Sequence, residues 1–578
     1  MDELLPRLDR LVFFRNLSEE TRKAVAGAGS WFSLAGGRTL YEQDTPSENL
    51  YFVLSGRLIV ARKGEDGPTI LGYIGTGEPV GEMSLLLDEN HTASVYALRD
   101  TELLAISHED FDRLHDTHVD LAAELSRFIL RRSRQTPIAH AKSSPKVFAL
   151  IGTSPSIDID GLATKLCRAV SATGLEVECM KEREEAPDNI LFDNEEFNHD
   201  IIILSARVGD SSWYRFVLRH ADRFLVFARR DAHPAKPFPL TPIANDRTSS
   251  ARRFRLVDLV MIEEGSKSNS VREWCEAIDA QRIFSWHDQA SVDLIARMVS
   301  GRSVGIVLSG GGARAYAHIG AVRAMREKGV HIDFTCGTSM GGIIAAGVAL
   351  GWSDDEMDYR VKKAFVHSNP LSDLRFPVVS LTGGGVVEGR LKDHFGDVLI
   401  EEIQKPYFCV STDLTKGVPY VHRFGLLREA LRASISLPGI LPPIVNDQRI
   451  LVDGGLINNF PTDIMSSTHR GMNIGIDVAR RSTIEPADYK NIPGFLGWVR
   501  RYGFKEAPPI VGILLRSATT RRESTMLYNP ADIMITPAVQ GVGLRSWGEY
   551  DLAVEEGYKA TMKALDDAGD LKDFCDPT

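Results

Sequence analysis

At 578 residues the chain is too long for one hydrophobic core, and about 150 residues per domain gives three to four domains. A net charge of −11 argues against a general nucleic-acid binder and gives no help in reaching an anionic membrane; a 43% hydrophobic fraction without any run of about 18 apolar residues argues against a membrane-spanning helix. The six cysteines are scattered without paired spacing, which fits reduced thiols in a cytosol rather than disulfides or a zinc site.

The start, Met1 to Leu5, lacks the basic region of a signal peptide, so export by that route is not expected and a cytoplasmic location is. From about Phe32 to Ile106 short alternating strands are separated by Gly and Asp turns: Arg38–Tyr41, Leu50–Leu54, Leu58–Val60 and Ala93–Leu98. This predicts an antiparallel β domain. Glu109 to Arg134 then places Phe111, Leu114, Leu121, Leu125 and Ile129 near helical spacing, a surface that suits packing within the chain or an oligomer contact equally. Thr136-Pro137 breaks the pattern, and a linker follows.

Residues 146 to about 290 alternate strands (Val147–Gly152, Ile201–Leu204, Phe224–Phe227) with helical stretches, which predicts an α/β unit on a parallel sheet. Gly152-Thr153-Ser154 lacks the Gly-Lys-Ser/Thr of a phosphate-binding loop, so no nucleotide hydrolysis is expected there. The third unit opens at about Ser303 and runs to about Leu565: strand Val304–Leu308, a Gly-rich turn, helix Ala313–Lys328, Gly329 as its cap, and a second strand. It too reads as α/β.

Ser339 sits in Gly337-Thr338-Ser339-Met340-Gly341 between an apolar run and a helix-like run, the pattern of a nucleophile elbow. Glycines flank the serine because side chains there would collide. Thirty residues upstream, Ser309-Gly310-Gly311-Gly312-Ala313-Arg314 follows a strand and opens a helix, so backbone N–H groups converge as an oxyanion requires. The rival is a dinucleotide loop with Asp333 on the ribose, but Asp333 falls at the start of the second strand instead of its end. Downstream, Ile450–Asp453 runs into Gly454-Gly455, a strand ending in a carboxylate. A shielded Asp453 without an arginine partner would gain basicity toward the serine hydroxyl. A Ser-His-Asp triad with His318, His331, His367, His394 or His422 as base remains open from these residues alone.

In this order and at these separations the three motifs resemble the patatin-like phospholipase family over about residues 303 to 565. Leu431–Gly439, Asp453–Pro461 and Tyr407–Leu414 look like its neuropathy target esterase branch, lysophospholipases that carry cyclic-nucleotide-binding-like domains. The resemblance implies a Ser-Asp dyad of Ser339 and Asp453, an oxyanion hole from Gly310, Gly311 and Gly312 with Arg314 beside it, a lipid substrate, and no metal or other cofactor. Ala315 stands where the family loop often has Gly.

Leu50–Leu58 and Gly81–Leu86 resemble cyclic-nucleotide-binding domains over about residues 14 to 134. The family's ribose glutamate matches Glu82, next to Gly81, but His91 stands where its phosphate arginine belongs. Imidazole lacks the permanent charge and planar fork of arginine, so a docking module is expected here in preference to a nucleotide sensor. The implied fold is multidomain: an N-terminal antiparallel β-roll with a C-terminal helix (14–134), a middle α/β domain (146–290) and a patatin-like α/β hydrolase domain (303–565). Gly494–Tyr502 sets aromatics beside two arginines, a pattern suited to peripheral contact with a lipid interface or, equally, to core packing.

Overall fold

Alternating residues over Ser30–Ser107 form eight strands: β1 (Ser30–Leu34), β2 (Thr39–Tyr41), β3 (Asn49–Ser55), β4 (Leu58–Arg62), β5 (Thr69–Ile74), β6 (Pro79–Val80), β7 (Ser94–Ala97) and β8 (Thr101–Ser107). They make two antiparallel sheets, ordered β1-β8-β3-β6 and β2-β7-β4-β5. The computed structural model describes residues 4–64, 69–134, 145–235, 238, 256–262, 270–367, 370–376, 378–446, 448–479, 497, 531–539, 541–543, 546–569 and 571–575. These divide into two units, Met1–Ser300 and Gly301–Thr578. Gly494–Tyr502, apart from Gly497, lies outside the described residues.

Strand β3 is buried on both faces, because Leu50, Phe52 and Leu54 pack with the helical core that contains Leu121 and Leu125, while Val53 joins Leu58 and Val95. The single helix expected over Glu109–Arg134 is two, His108–Thr117 and Val119–Arg134. The reason is local: His118 leaves helical geometry at φ −120°, ψ 89°.

The middle sheet comprises β9 (Val147–Gly152), β10 (Val177–Met180), β11 (Ile201–Arg207), β12 (Arg223–Arg229), β13 (Leu256–Ile262) and β14 (Arg282–Trp286). Its order is β10-β11-β9-β12-β13-β14, every pairing is parallel, and its central strands are continuous apolar runs, as burial on both faces demands. At the foot of this sheet the buried Asp222 accepts the N–H groups of Lys146 and Val147 at 2.8 and 3.0 Å. It also meets Arg99 of the β-roll at 2.8 Å and Arg57 at 3.7 Å, and Arg99 is shared with Glu196. Burial alone would raise the Asp222 pKa, but the two arginines and two backbone donors hold it below the ordinary carboxylate value.

The second unit is built on β15 (Val304–Leu308), β16 (Phe334–Thr338), β17 (Tyr407–Asp413), β18 (Val418–His422), β19 (Ile444–Asn446), β20 (Arg449–Asp453), β21 (Met472–Ile476) and β22 (Ile533–Ile535). Five strands are parallel, in the order β17-β16-β15-β21-β22. β17 pairs along one edge with β18 through Cys409–Asp413. Its other edge is shared: parallel β16 covers Tyr407–Val410, and antiparallel β20 covers Ser411–Asp413. These two strands run toward each other, and their C-terminal ends meet beside Val410 and Ser411. Among the described residues no helix is long and apolar enough to cross a membrane.

Truncating a buried ion pair on one side strands the other charges, at about 3–5 kcal/mol. Asp222→Ala should therefore lower the unfolding free energy of the first unit by that much and shift its urea midpoint down accordingly; an unchanged midpoint would show that the cluster contributes nothing.

Candidate active site

The helix Met340–Ala349 begins directly after β16, and the turn between them forces Ser339 to φ 55°, ψ −129°. This is a conformation that non-glycine residues rarely adopt, and it points the side chain away from the turn. A Cβ on Gly341 would lie 2.4 Å from the Leu308 carbonyl, and one on Gly337 would lie 2.5 Å from the Gly341 backbone, so the elbow closes only with glycine at both positions. Two long-range bonds hold the strained residue. Its N–H donates to Ser434 Oγ at 2.9 Å, and that hydroxyl donates onward to the Val410 carbonyl at 2.7 Å.

The Ser339 hydroxyl donates to Asp453 Oδ2 at 2.7 Å. The other carboxylate oxygen accepts the Gly455 N–H at 2.7 Å, and the Asp453 N–H is tied to the Ser436 carbonyl at 2.9 Å. Asp453 is buried and pairs with no cation among the described residues. Burial therefore dominates and lifts its pKa to about 6, although the bonds from Gly455 and Ser339 oppose the rise. Above that pH the group is a carboxylate able to take the serine proton; below it the group already holds one.

The glycine loop is organised less uniformly than its sequence suggests. Gly310 departs from the expected donor role: its N–H is engaged by the Asn459 carbonyl at 3.2 Å, while Asn459 Nδ2 donates to the Gly310 carbonyl at 3.1 Å. The N–H groups of Gly311 and Gly312 meet no acceptor among the described residues. Arg314 is a brace, its Nε–H donating to the Val542 carbonyl at 2.7 Å. Ala315 is fully buried in the 3-10 turn Gly312–Tyr316, which precedes the helix Ala317–Glu327 where one continuous helix was expected.

None of the five candidate histidines hydrogen-bonds Ser339 or Asp453. His318 is buried, its pKa driven down to about 4, with Nε2 donating to the Ser309 carbonyl at 2.8 Å. His422, also pushed to about 4 by burial, bonds the Ser411 hydroxyl at 2.7 Å. Asp333 accepts the Val304 N–H at 3.1 Å and ties two strands together instead of facing a ribose. The serine and asparagine supports, Ser434, Ser436 and Asn459, lie in stretches the sequence marked, but their roles depend on contacts between distant segments.

In the β-roll, Gly81 caps the short helix Glu82–Leu87, and Glu82 and His91 line a cavity of about 200 Å³ together with Tyr41, Ile74 and Arg132. Glu82 is buried and paired with Arg132 at 3.2 Å; burial raises its pKa and the arginine opposes the rise. His91 stacks on Tyr41 with ring centroids 3.6 Å apart, and burial lowers its pKa, which favours neutral imidazole. Elsewhere in this unit Glu178, Glu195 and His199 bring one ligand atom each within 4.8 Å of one another.

Residues 306–466 match the family model for patatin-like phospholipase, and residues 31–118 match that for the cyclic nucleotide-binding domain. An uncharacterized NTE family protein of Mycobacterium tuberculosis is 30% identical over 92% of this chain and 91% of its own length. Neuropathy target esterase sws of Drosophila melanogaster is 28% identical over 94% of this chain, and human patatin-like phospholipase domain-containing protein 6 is 27% identical over 81%. Both animal proteins are much longer; the aligned regions span 43% and 39% of them.

Ser434→Ala removes the acceptor that fixes the strained Ser339 N–H without touching the hydroxyl or the carboxylate. Turnover of an ester substrate should fall about tenfold with KM little changed, since losing one positioning hydrogen bond is worth roughly 1–1.5 kcal/mol. Unchanged turnover would show that the elbow holds its own geometry.

Proposed function

The chain belongs to the NTE family and carries a patatin-like phospholipase domain, and on that premise we propose that it hydrolyses the acyl ester of lysophospholipids or phospholipids through a Ser339–Asp453 dyad. The 2.7 Å hydrogen bond from the Ser339 hydroxyl to a buried carboxylate carries this reading. As Ser339 Oγ attacks the ester carbonyl carbon, its proton passes to Asp453 Oδ2, and the carbonyl oxygen becomes an oxyanion. The N–H groups of Gly311 and Gly312 are the loop donors left to receive it, with the Gly310–Asn459 pair holding the loop in place.

Collapse of the tetrahedral intermediate breaks the bond to the glycerol oxygen, which leaves with the proton held by Asp453. The same carboxylate then takes a proton from water as its oxygen attacks the acyl-serine. Fatty acid is released, and the proton returns to Ser339. No step requires a second base, which agrees with the engagement of His318 and His422 elsewhere.

A cyclic-nucleotide-responsive scaffold with a silent hydrolase unit is the reading from a different class. Against it, the carboxylate of Glu82 is already paired with Arg132, and neutral His91 offers a cyclic phosphate no permanent charge. Isothermal calorimetry with cyclic AMP and cyclic GMP should give no binding tighter than about 1 mM, whereas micromolar affinity would restore the sensor reading.

Purified protein should release fatty acid from lysophosphatidylcholine and react with a fluorophosphonate probe, and Ser339→Ala should lose both. Asp453→Asn should lower fatty-acid release by about 10³, the scale of a general base, yet keep its thermal midpoint at pH 8 unchanged or higher because a buried charge is removed. Activity surviving Ser339→Ala would refute the dyad.

A further inference from the structure

We propose that the protein docks on a phospholipid surface through an apolar, cation-edged rim raised by three segments beyond the strand ends where Ser339 and Asp453 meet. This rests on the ester-hydrolase reading above, because such a surface would present that site with its substrate.

The first segment is the loop before Ser380, where Phe376 is 87% exposed and Val378 83% exposed, with Leu374 and Val379 also open to solvent. Backbone bonds from Leu381 and Thr382 to the Gly439 and Ile440 carbonyls, at 2.9 and 3.1 Å, dock this loop on the stretch that leads into β19. The same stretch supplies the Ser436 carbonyl that holds the Asp453 N–H. The second segment is the β19–β20 hairpin, in which Val445, 72% exposed, pairs across the strands with exposed Ile450. Ile450 is three residues before Asp453, hence about 10 Å from it along an extended strand. The third is the β17–β18 hairpin, with exposed Leu414 and Val418; Leu414 donates its N–H to the Ile450 carbonyl at 2.9 Å.

Single exposed aliphatic residues need no explanation, but three hydrogen-bonded segments presenting them at one end of one sheet form a patch of the kind that marks an interaction surface. Its occupant follows from charge and position. Exposed Arg375 lies between Leu374 and Phe376, and exposed Lys416 lies in the turn between Leu414 and Val418. Each cation is thus set among side chains that can enter an acyl layer, the arrangement of an interfacial anchor for anionic headgroups. A protein seated on this rim would obstruct the strand ends that carry Ser339 and Asp453; a lipid surface would deliver esters to them.

Vesicle sedimentation of the full chain tests this, in a Ser339→Ala background so that the lipid stays intact, with phosphatidylcholine vesicles containing or lacking phosphatidylglycerol. Phe376→Ser/Val378→Ser/Val379→Ser should weaken binding by about tenfold or more. With Ser339 restored, the same triple variant should turn over a monomeric short-chain aryl ester within about twofold of the intact protein, because a monomer needs no docking surface. Arg375→Ser/Lys416→Ser should abolish the preference for phosphatidylglycerol vesicles, and it decides the matter alone should the triple variant fail to fold. Vesicle binding left unchanged by these substitutions, or absent from the intact protein, would overturn the docking proposal while ester turnover leaves the hydrolase reading standing. No ester turnover by the intact protein would instead count against the hydrolase reading, and sedimentation would still decide the docking.

Discussion

The shared edge of β17 is the constraint on which the second unit turns. Two strands of opposite direction, β16 and β20, occupy successive halves of that edge, and their ends converge between Val410 and Ser411. The residue following β16 is Ser339 and the last residue of β20 is Asp453, so sheet register by itself brings together side chains 114 positions apart. The strained elbow then fixes the direction of the hydroxyl. Rigid strands and a buried helix can sustain such strain because the surrounding packing over-determines it. Ser434 shows the coupling most plainly, joining the Ser339 N–H to the Val410 carbonyl at the point where the two strands meet.

The same convergence buries Asp453, and burial gives the carboxylate its basicity. Relative to an unfolded aspartate near 3.9, a folded pKa of about 6 means that the native state holds the proton more tightly. The stability so gained is fully present below about pH 4 and is lost as pH rises through about 6, leaving a cost of about 3 kcal/mol at neutral pH. An ionised, unpaired Asp453 is thus a destabilising element that the apolar packing of the sheet offsets. Asp222 and Asp258 in the first unit are buried as well, but arginines hold both pKa values down. A buried aspartate with arginine partners is structural, and one with only a serine hydroxyl and a backbone N–H is available for proton transfer.

Much of this was legible in the sequence where the determinant is local. The glycines around Ser339 mark an elbow, and the close approach at Gly337 is local, to the Gly341 backbone, whereas that at Gly341 is to the Leu308 carbonyl of the neighbouring strand. Apolar runs located β9, β11, β12 and β15, and the resemblance named the two families whose models match residues 306–466 and 31–118. What escaped depends on partners far along the chain. The apolar run Ile450–Val452 suits a parallel or an antiparallel strand alike, so the reversal of β20 had no local signature. The engagement of Gly310 by Asn459 spans 149 positions, and Arg132 reaches Glu82 across 50, so neither closure could be read from the motif that contains its other half. The break at His118 was also hidden, since the apolar spacing continues through it while the backbone turns.

The pH dependence of Ser339 phosphonylation by a fluorophosphonate probe tests the central claim most directly, because it reads nucleophile activation without a lipid interface or product release. If buried Asp453 is the base, the labelling rate is level at alkaline pH and falls about tenfold per unit below an apparent pKa of about 6, with the inflection lost in Asp453→Asn. A rate that retains the same inflection in Asp453→Asn, or shows none between about pH 5 and 8 in the intact protein, would contradict the account.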